Sequence, residues 1–256
     1  MEPHRLAVLA AEAERLGYRG AWLPDHLLPP GRYGQDRYGG VYEPLVSLSY
    51  LAAHTSTIRL GTSVLVLPMR NPFVVAKQAA TLDRISGERL TLGVGIGWDR
   101  TEFAAVGADF HTRGARTDEA IRLLRHLFHG EGPFHGEFYG YDDGVFEPRP
   151  RRHLPIMVGG TSDAALRRAA RLADEWQAVG LEPREFAERL ARLRESSDRD
   201  VRATARIAWH GGRAEFQRAV DQAHGFADAG AAALAVWFTP AEGFEERMAE
   251  FAAQFG

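Results

Sequence analysis

The chain has 256 residues, 45% of them hydrophobic and 25% charged, with a formal net charge of -3 from 31 basic and 34 acidic side chains. That is enough for one large core, and the interspersed charges leave no basic stripe for nucleic acid and no polybasic membrane anchor. The absence of cysteine excludes disulfides and thiolate chemistry, and no run approaches the roughly 18 apolar residues of a membrane span, so a soluble cytoplasmic protein is the expectation.

In chain order, residues 5–16 carry apolar residues at helical spacing and end at Gly17, and Ala21-Trp22-Leu23-Pro24 reads as a short strand stopping at Asp25-His26. A loop from Leu27 to Val41, rich in Pro, Gly, Tyr and Arg, is long for a βα connection. Residues 43–55 predict a helix, Ile58 to Leu67 a continuous β-branched strand halted by Pro68, and Asn71-Pro72 the start of a helix to Ile85. Ser86-Gly87 stops it. The strand Leu90–Val94 then runs into Gly95-Ile96-Gly97-Trp98, followed by short helical Thr101–Val106 and a long helix from Arg113 to about Phe128.

Residues 130–155 break the rhythm with glycines and aromatics and predict a hairpin or excursion. Strands near residues 157, 177, 205 and 235 follow, each with a helix after it. Seven βα units are visible, preceded by a helix with no strand before it. The first-choice fold is an α/β, (β/α)8 TIM barrel with insertions whose first strand is missing. It would form one domain over residues 1–256, with a rim insertion at about 130–155; an open doubly wound sheet is the alternative.

Function in such folds gathers at the carboxyl ends of strands. His26 there can serve as a general base or hydrogen-bond a cofactor ring, and the neighbouring Asp25 can orient it; equally, Asp25 can cap a turn while His26 packs. Gly93, Gly95 and Gly97 have the wrong spacing for a dinucleotide fingerprint. They either let a flat ring approach the backbone or make room for bulky neighbours. Glu102, in the first turn of the next helix, is a candidate acid or a helix-dipole partner. Gly159-Gly160-Thr161-Ser162 ends a strand and opens a helix, which is a phosphate site in physical terms or an ordinary cap. Arg149, Arg151 and Arg152 form a solvated basic cluster or a contact for an acidic cofactor tail. The ten histidines are scattered without metal spacing.

Together these residues resemble the bacterial luciferase-like monooxygenase superfamily, in its branch using the deazaflavin coenzyme F420. The pieces carrying the resemblance run along nearly the whole chain. They are Ala11-Glu12, Leu16-Gly17-Tyr18, Trp22 and Asp25-His26; Gly61-Thr62-Ser63-Val64 and Asn71-Pro72; Ala76 to Asp83; Ser86-Gly87 and Arg89-Leu90. Gly93 to Trp98, Glu102, Arg113-Gly114, Asp118-Glu119 and Pro155 to Gly160 complete the set. Gly97-Trp98 and Lys77 point to the deazaflavin branch.

The resemblance implies a deazaflavin lying over the strand ends, touched by Ser63, Val64, Gly95, Gly97 and Trp98. It also implies a bulged or non-prolyl cis peptide at Ser63-Val64, and phosphate on Gly159, Gly160 and Thr161. The implied chemistry is hydride transfer between deazaflavin C5 and a small organic substrate, with His26 or Glu102 as proton partner, in a homodimer. Tyr33, Tyr38 and Tyr42 and the excursion would set the substrate. An FMN-dependent monooxygenase on the same barrel and a non-catalytic cofactor-binding protein are the alternatives. Family members begin with a strand that this sequence lacks before its first helix, and a start placed too late is the preferred reading of that difference.

Overall fold

The computed structural model describes residues 2–29, 41–239 and 242–255. The chain divides into two compact units, one of residues 1–22 with 156–256 and one of residues 23–155. Each contains parallel strands alternating with helices.

In the unit of residues 23–155, strands β2 (Arg59–Thr62) and β3 (Leu65–Val66) pair in parallel with β4 (Leu90–Gly95). All six residues of β4 are buried, as expected of a parallel strand covered on both faces. The predicted strand Ile58–Leu67 is not continuous. Leu60 and Gly61 lie opposite Leu90 and Thr91, but Leu65 and Val66 lie opposite Val94 and Gly95. Thr62, Ser63 and Val64 therefore face only Leu92 and Gly93, a one-residue bulge that reverses which side chains point to which face. The Ser63-Val64 peptide inside the bulge is cis. Around it the Ser63 amide donates to Leu23 O at 2.8 Å and the Thr62 hydroxyl donates to Gly93 O at 2.6 Å.

The helix Pro72–Ile85 starts as its sequence dictates. Asn71 accepts from the Phe73 and Val74 amides and Pro72 occupies the first turn. Residues 130–155 make the expected excursion, with an antiparallel hairpin of β5 (Phe134–His135) and β6 (Gly140–Tyr141). Buried Glu119, on the helix Arg113–His129, holds it by accepting from the amides of Glu137, Phe138 and Tyr139 at 2.8, 2.8 and 2.6 Å. Burial pushes the Glu119 carboxyl up, but those three amides together hold it below the ordinary range. Gly136 is required here, because a Cβ would run into the Glu119 carboxylate.

In the other unit, β7 (Ile156–Gly159), β8 (Glu175–Val179), β9 (Arg202–Trp209) and β10 (Ala233–Phe238) pair in parallel in sequence order. Its core is aromatic. Trp176 stacks on Phe186 with centroids 5.3 Å apart, and Phe186 meets Phe226 edge-on. In neither unit does the strand order reverse, which a doubly wound sheet requires at its switch point. The fold is thus the (β/α)8 class, with seven βα units among the described residues, and the helix Pro3–Arg15 precedes β1 (Gly20–Leu23). Among the described residues, no helix is long and apolar enough to cross a membrane.

Candidate active site

The unit of residues 23–155 brings His26 and Glu102 together across 76 positions of sequence. His26 Nδ1 lies 3.0 Å from Glu102 Oε2, and the two side chains are 10% and 2% exposed. The other oxygen, Oε1, accepts the amides of Leu27 and Leu28, both at 2.9 Å. Glu102 is delivered by the helix Arg100–Ala105, whose first turn is capped by Asp99 through the amides of Thr101 and Glu102. An ionised carboxylate only accepts hydrogen bonds, so Glu102 in that form selects the imidazole tautomer with a proton on Nδ1. Trp98, 48% exposed, meets the His26 ring edge-on with centroids 6.0 Å apart.

The Asp25 carboxylate turns to partners other than the neighbouring imidazole. It accepts from the Val66 amide at 2.8 Å and from Arg70, Nη2 to Oδ1 at 2.7 Å and Nε to Oδ2 at 3.3 Å. Arg70 also pairs with Glu43 at 3.1 Å. Asp25 is a strand-end anchor and Glu102 is the imidazole's partner.

The strand-end glycines make room for neighbours. A Cβ on Gly95 would lie 2.5 Å from Val64 Cγ2, and one on Gly97 would lie 2.6 Å from Val66 Cγ1 and 2.8 Å from Phe103. Gly97 also has φ +71, which side chains seldom adopt. The packing reading therefore accounts for the missing side chain at both positions.

In the other unit, Gly159, Gly160 and Thr161 lead from β7 into the ten-residue helix Asp163–Leu172, capped by Ser162 on the Ala165 amide. Gly160, at φ +121, donates its amide to Gln177 O at 3.2 Å and accepts at its carbonyl from Trp176 Nε1 at 2.7 Å. Its N–H is thus committed to the fold, and the positive end of the following helix's dipole stands at this turn.

Several sequence readings find structural explanations. Arg149 donates to the carbonyls of Gly130 and Phe146, and Arg152 pairs with Glu88 at 2.8 Å, so two of the three arginines of the basic cluster pin the excursion. Lys77 donates to the Glu147 carbonyl and lies over the Phe146 ring, also on the excursion. Tyr33 and Tyr38 lie outside the described residues, and Tyr42 is exposed. Among the described residues no cluster of three or more His, Asp or Glu could hold a metal ion. Sequence reasoning missed Arg70 and Glu43, whose signal is only a charge beside a turn, and gave no role to Glu119 or Arg89.

Comparison with known proteins places the chain. It is 38% identical over 199 residues to an uncharacterized protein of Mycobacterium tuberculosis, covering 73% of this chain and 69% of that one. It is 37% identical over 177 residues to an F420-dependent glucose-6-phosphate dehydrogenase of Kineococcus radiotolerans, covering 67% of this chain and 51% of the relative, so the match spans about half of that enzyme. An F420-dependent secondary alcohol dehydrogenase in complex with an F420-acetone adduct shares the fold at TM-score 0.84 and 16% identity, over 98% of this chain and 94% of that chain. Monooxygenase RslO1 from Streptomyces bottropensis does so at TM-score 0.81 and 21% identity, over 98% and 92%. With the family model for luciferase-like monooxygenase matching residues 1–254, the chain belongs to the luciferase-like monooxygenase family.

Proposed function

We propose that the chain is an F420-dependent oxidoreductase acting on a small organic substrate in the cytoplasm, with residues 1–256 forming one functional domain. The observation that carries this reading is His26 held at Nδ1 by buried Glu102, beside the exposed indole of Trp98. The 37% identity to an F420-dependent dehydrogenase supports it. Bound deazaflavin supplies a hydride donor or acceptor at C5, and the protein supplies placement, proton handling and exclusion of water.

The residues present suit such a group. Trp98 offers a flat apolar face, and the Nε2 lone pair of His26 offers a base for the proton of an alcohol substrate. Glu102 holds the tautomer that places this lone pair on Nε2. Asp25 ties the peptide next to His26 to β3, just after the Ser63-Val64 bulge. The Thr161-Ser162 end of the helix Asp163–Leu172 offers amides and hydroxyls to a phosphate, on its own geometry and independently of His26. A homodimer is the assembly we propose. The helix Pro44–Ala52 has no charged residue and leaves Val46 66% exposed and Tyr50 39% exposed, a surface suited to burial against a second copy.

The test is a fluorescence titration of the protein with F420 and, separately, FMN, with the same sample run in sedimentation. We expect F420 to bind with a dissociation constant of about 1–10 μM, FMN at least about tenfold more weakly, and the protein to sediment as a dimer. Turnover is then assayed with glucose 6-phosphate and propan-2-ol. Tighter binding of FMN would move the chain to the flavin branch, and a monomer at micromolar concentration would remove the dimer.

A further inference from the structure

Arg70 follows the turn Leu67–Met69 with its side chain 14% exposed. Its guanidinium joins two carboxylates from separate parts of the chain. Nη2 and Nε grip Asp25 at 2.7 and 3.3 Å, and Nη1 lies 3.1 Å from Glu43. The Asp25 side chain is 1% exposed and also takes the Val66 amide. Glu43 caps the helix Pro44–Ala52 by accepting from the Val46 amide at 2.7 Å. The planar fork grips Asp25 through two hydrogen bonds, with Glu43 beside it as an ion pair that lacks hydrogen-bond geometry. It thus ties three backbone segments, and a lysine ammonium cannot reproduce the two-pronged grip. One of those segments is the residue directly before His26.

We propose that Arg70 is a positioning residue for the reaction: by locking Asp25 to β3 and to the cap of the helix Pro44–Ala52, it holds the His26 imidazole on Glu102. The proposal rests on the assignment of His26 to the chemistry. Neither Arg70 nor Glu43 meets the imidazole in the contacts described above, so the effect travels through the Asp25 backbone. Removing the guanidinium leaves a buried carboxylate without its partner, whereas Lys keeps the charge and loses the fork.

The experiment compares wild type with Arg70→Lys in three readouts: the ring-proton NMR resonances of His26, the F420 titration, and turnover with whichever of glucose 6-phosphate and propan-2-ol supports it. We expect the His26 resonances to move while those of His224, in the other unit, stay. We expect kcat to fall about tenfold to a hundredfold with F420 affinity held within about threefold. Should Arg70→Lys fail to fold, the double variant Arg70→Met with Asp25→Asn removes both charges together, keeps an acceptor for Val66 and carries the same readouts. A folded variant whose His26 resonances and kcat match wild type overturns the proposal. A wild-type protein that neither binds F420 nor turns over overturns the F420 assignment instead, and the His26 resonances alone then decide the placement of Arg70.

Discussion

A Glu102→Gln protein is expected to fold, to bind F420 as wild type does, and to turn over roughly a thousandfold more slowly. The amide oxygen of Gln can keep the Leu27 and Leu28 amides that Oε1 now accepts. Its NH2 group then faces His26 Nδ1, where a carboxylate oxygen stands 3.0 Å away in the wild type. A donor there forces Nδ1 to accept, which moves the imidazole proton to Nε2 and removes the lone pair that the proposed reaction uses. Geometry is kept and the tautomer is lost. His26→Ala removes the proposed base itself and should cost a similar factor. The two changes combined should cost little more than either one, because the pair acts as a unit. A Glu102→Gln protein within about tenfold of wild type, measured by steady-state turnover, would show that the dyad does not handle the proton.

Arg89→Met is expected to be the most destabilising single change among the residues discussed. The Arg89 side chain is buried and donates to the carbonyls of Ser86, Ile58, Ala52 and Thr55 and to the Thr55 hydroxyl, over 2.5 to 3.0 Å. Ala52 ends the helix Pro44–Ala52, so these are helix-terminal and turn carbonyls with no intrahelical donor. The guanidinium satisfies them in one plane and fastens the turn before β4 to the approach to β2. Methionine fills a similar volume and leaves the carbonyls buried and unpaired, at about 1–3 kcal/mol each before relaxation. Allowing for local adjustment, a loss of about 3–5 kcal/mol follows, or a melting temperature lower by about 10–15 °C. Thermal unfolding by circular dichroism measures it. A fall under about 3 °C would mean that water reaches these carbonyls once Arg89 is gone. Because the site residues lie elsewhere, F420 affinity of the folded fraction should not change.

Much of the fold was legible because its signals are local. The Asn71-Pro72 start, the Ser86-Gly87 stop, the apolar run Leu90–Val94 and the Gly159-Gly160 turn each reflect backbone preferences within a few residues, and the corresponding elements stand where they were expected. The exception is Ile58–Leu67, whose β-branched run by itself reads as one strand, while the family resemblance anticipated the bulged, cis Ser63-Val64 peptide that is found. A bulge is a mismatch between two strands, and its position is set by the register with β4, about 30 residues away.

The same division holds at the site. The sequence alone determined the candidate positions: His26 at a strand end, Glu102 in a first helical turn, Gly95 and Gly97 beside a buried strand, and Gly159 to Thr161 before a helix. Only the tertiary structure decided their partners. Asp25 is adjacent to His26, yet just past the end of β1 Asp25 meets Arg70 and Val66 while His26 meets Glu102. Gly95 and Gly97 are bare because Val64, Val66 and Phe103 occupy their space, and those neighbours come from another strand and another helix. Residue type and local spacing follow from short-range backbone and side-chain preferences. The choice of partner depends on which distant segments the packed strands bring side by side.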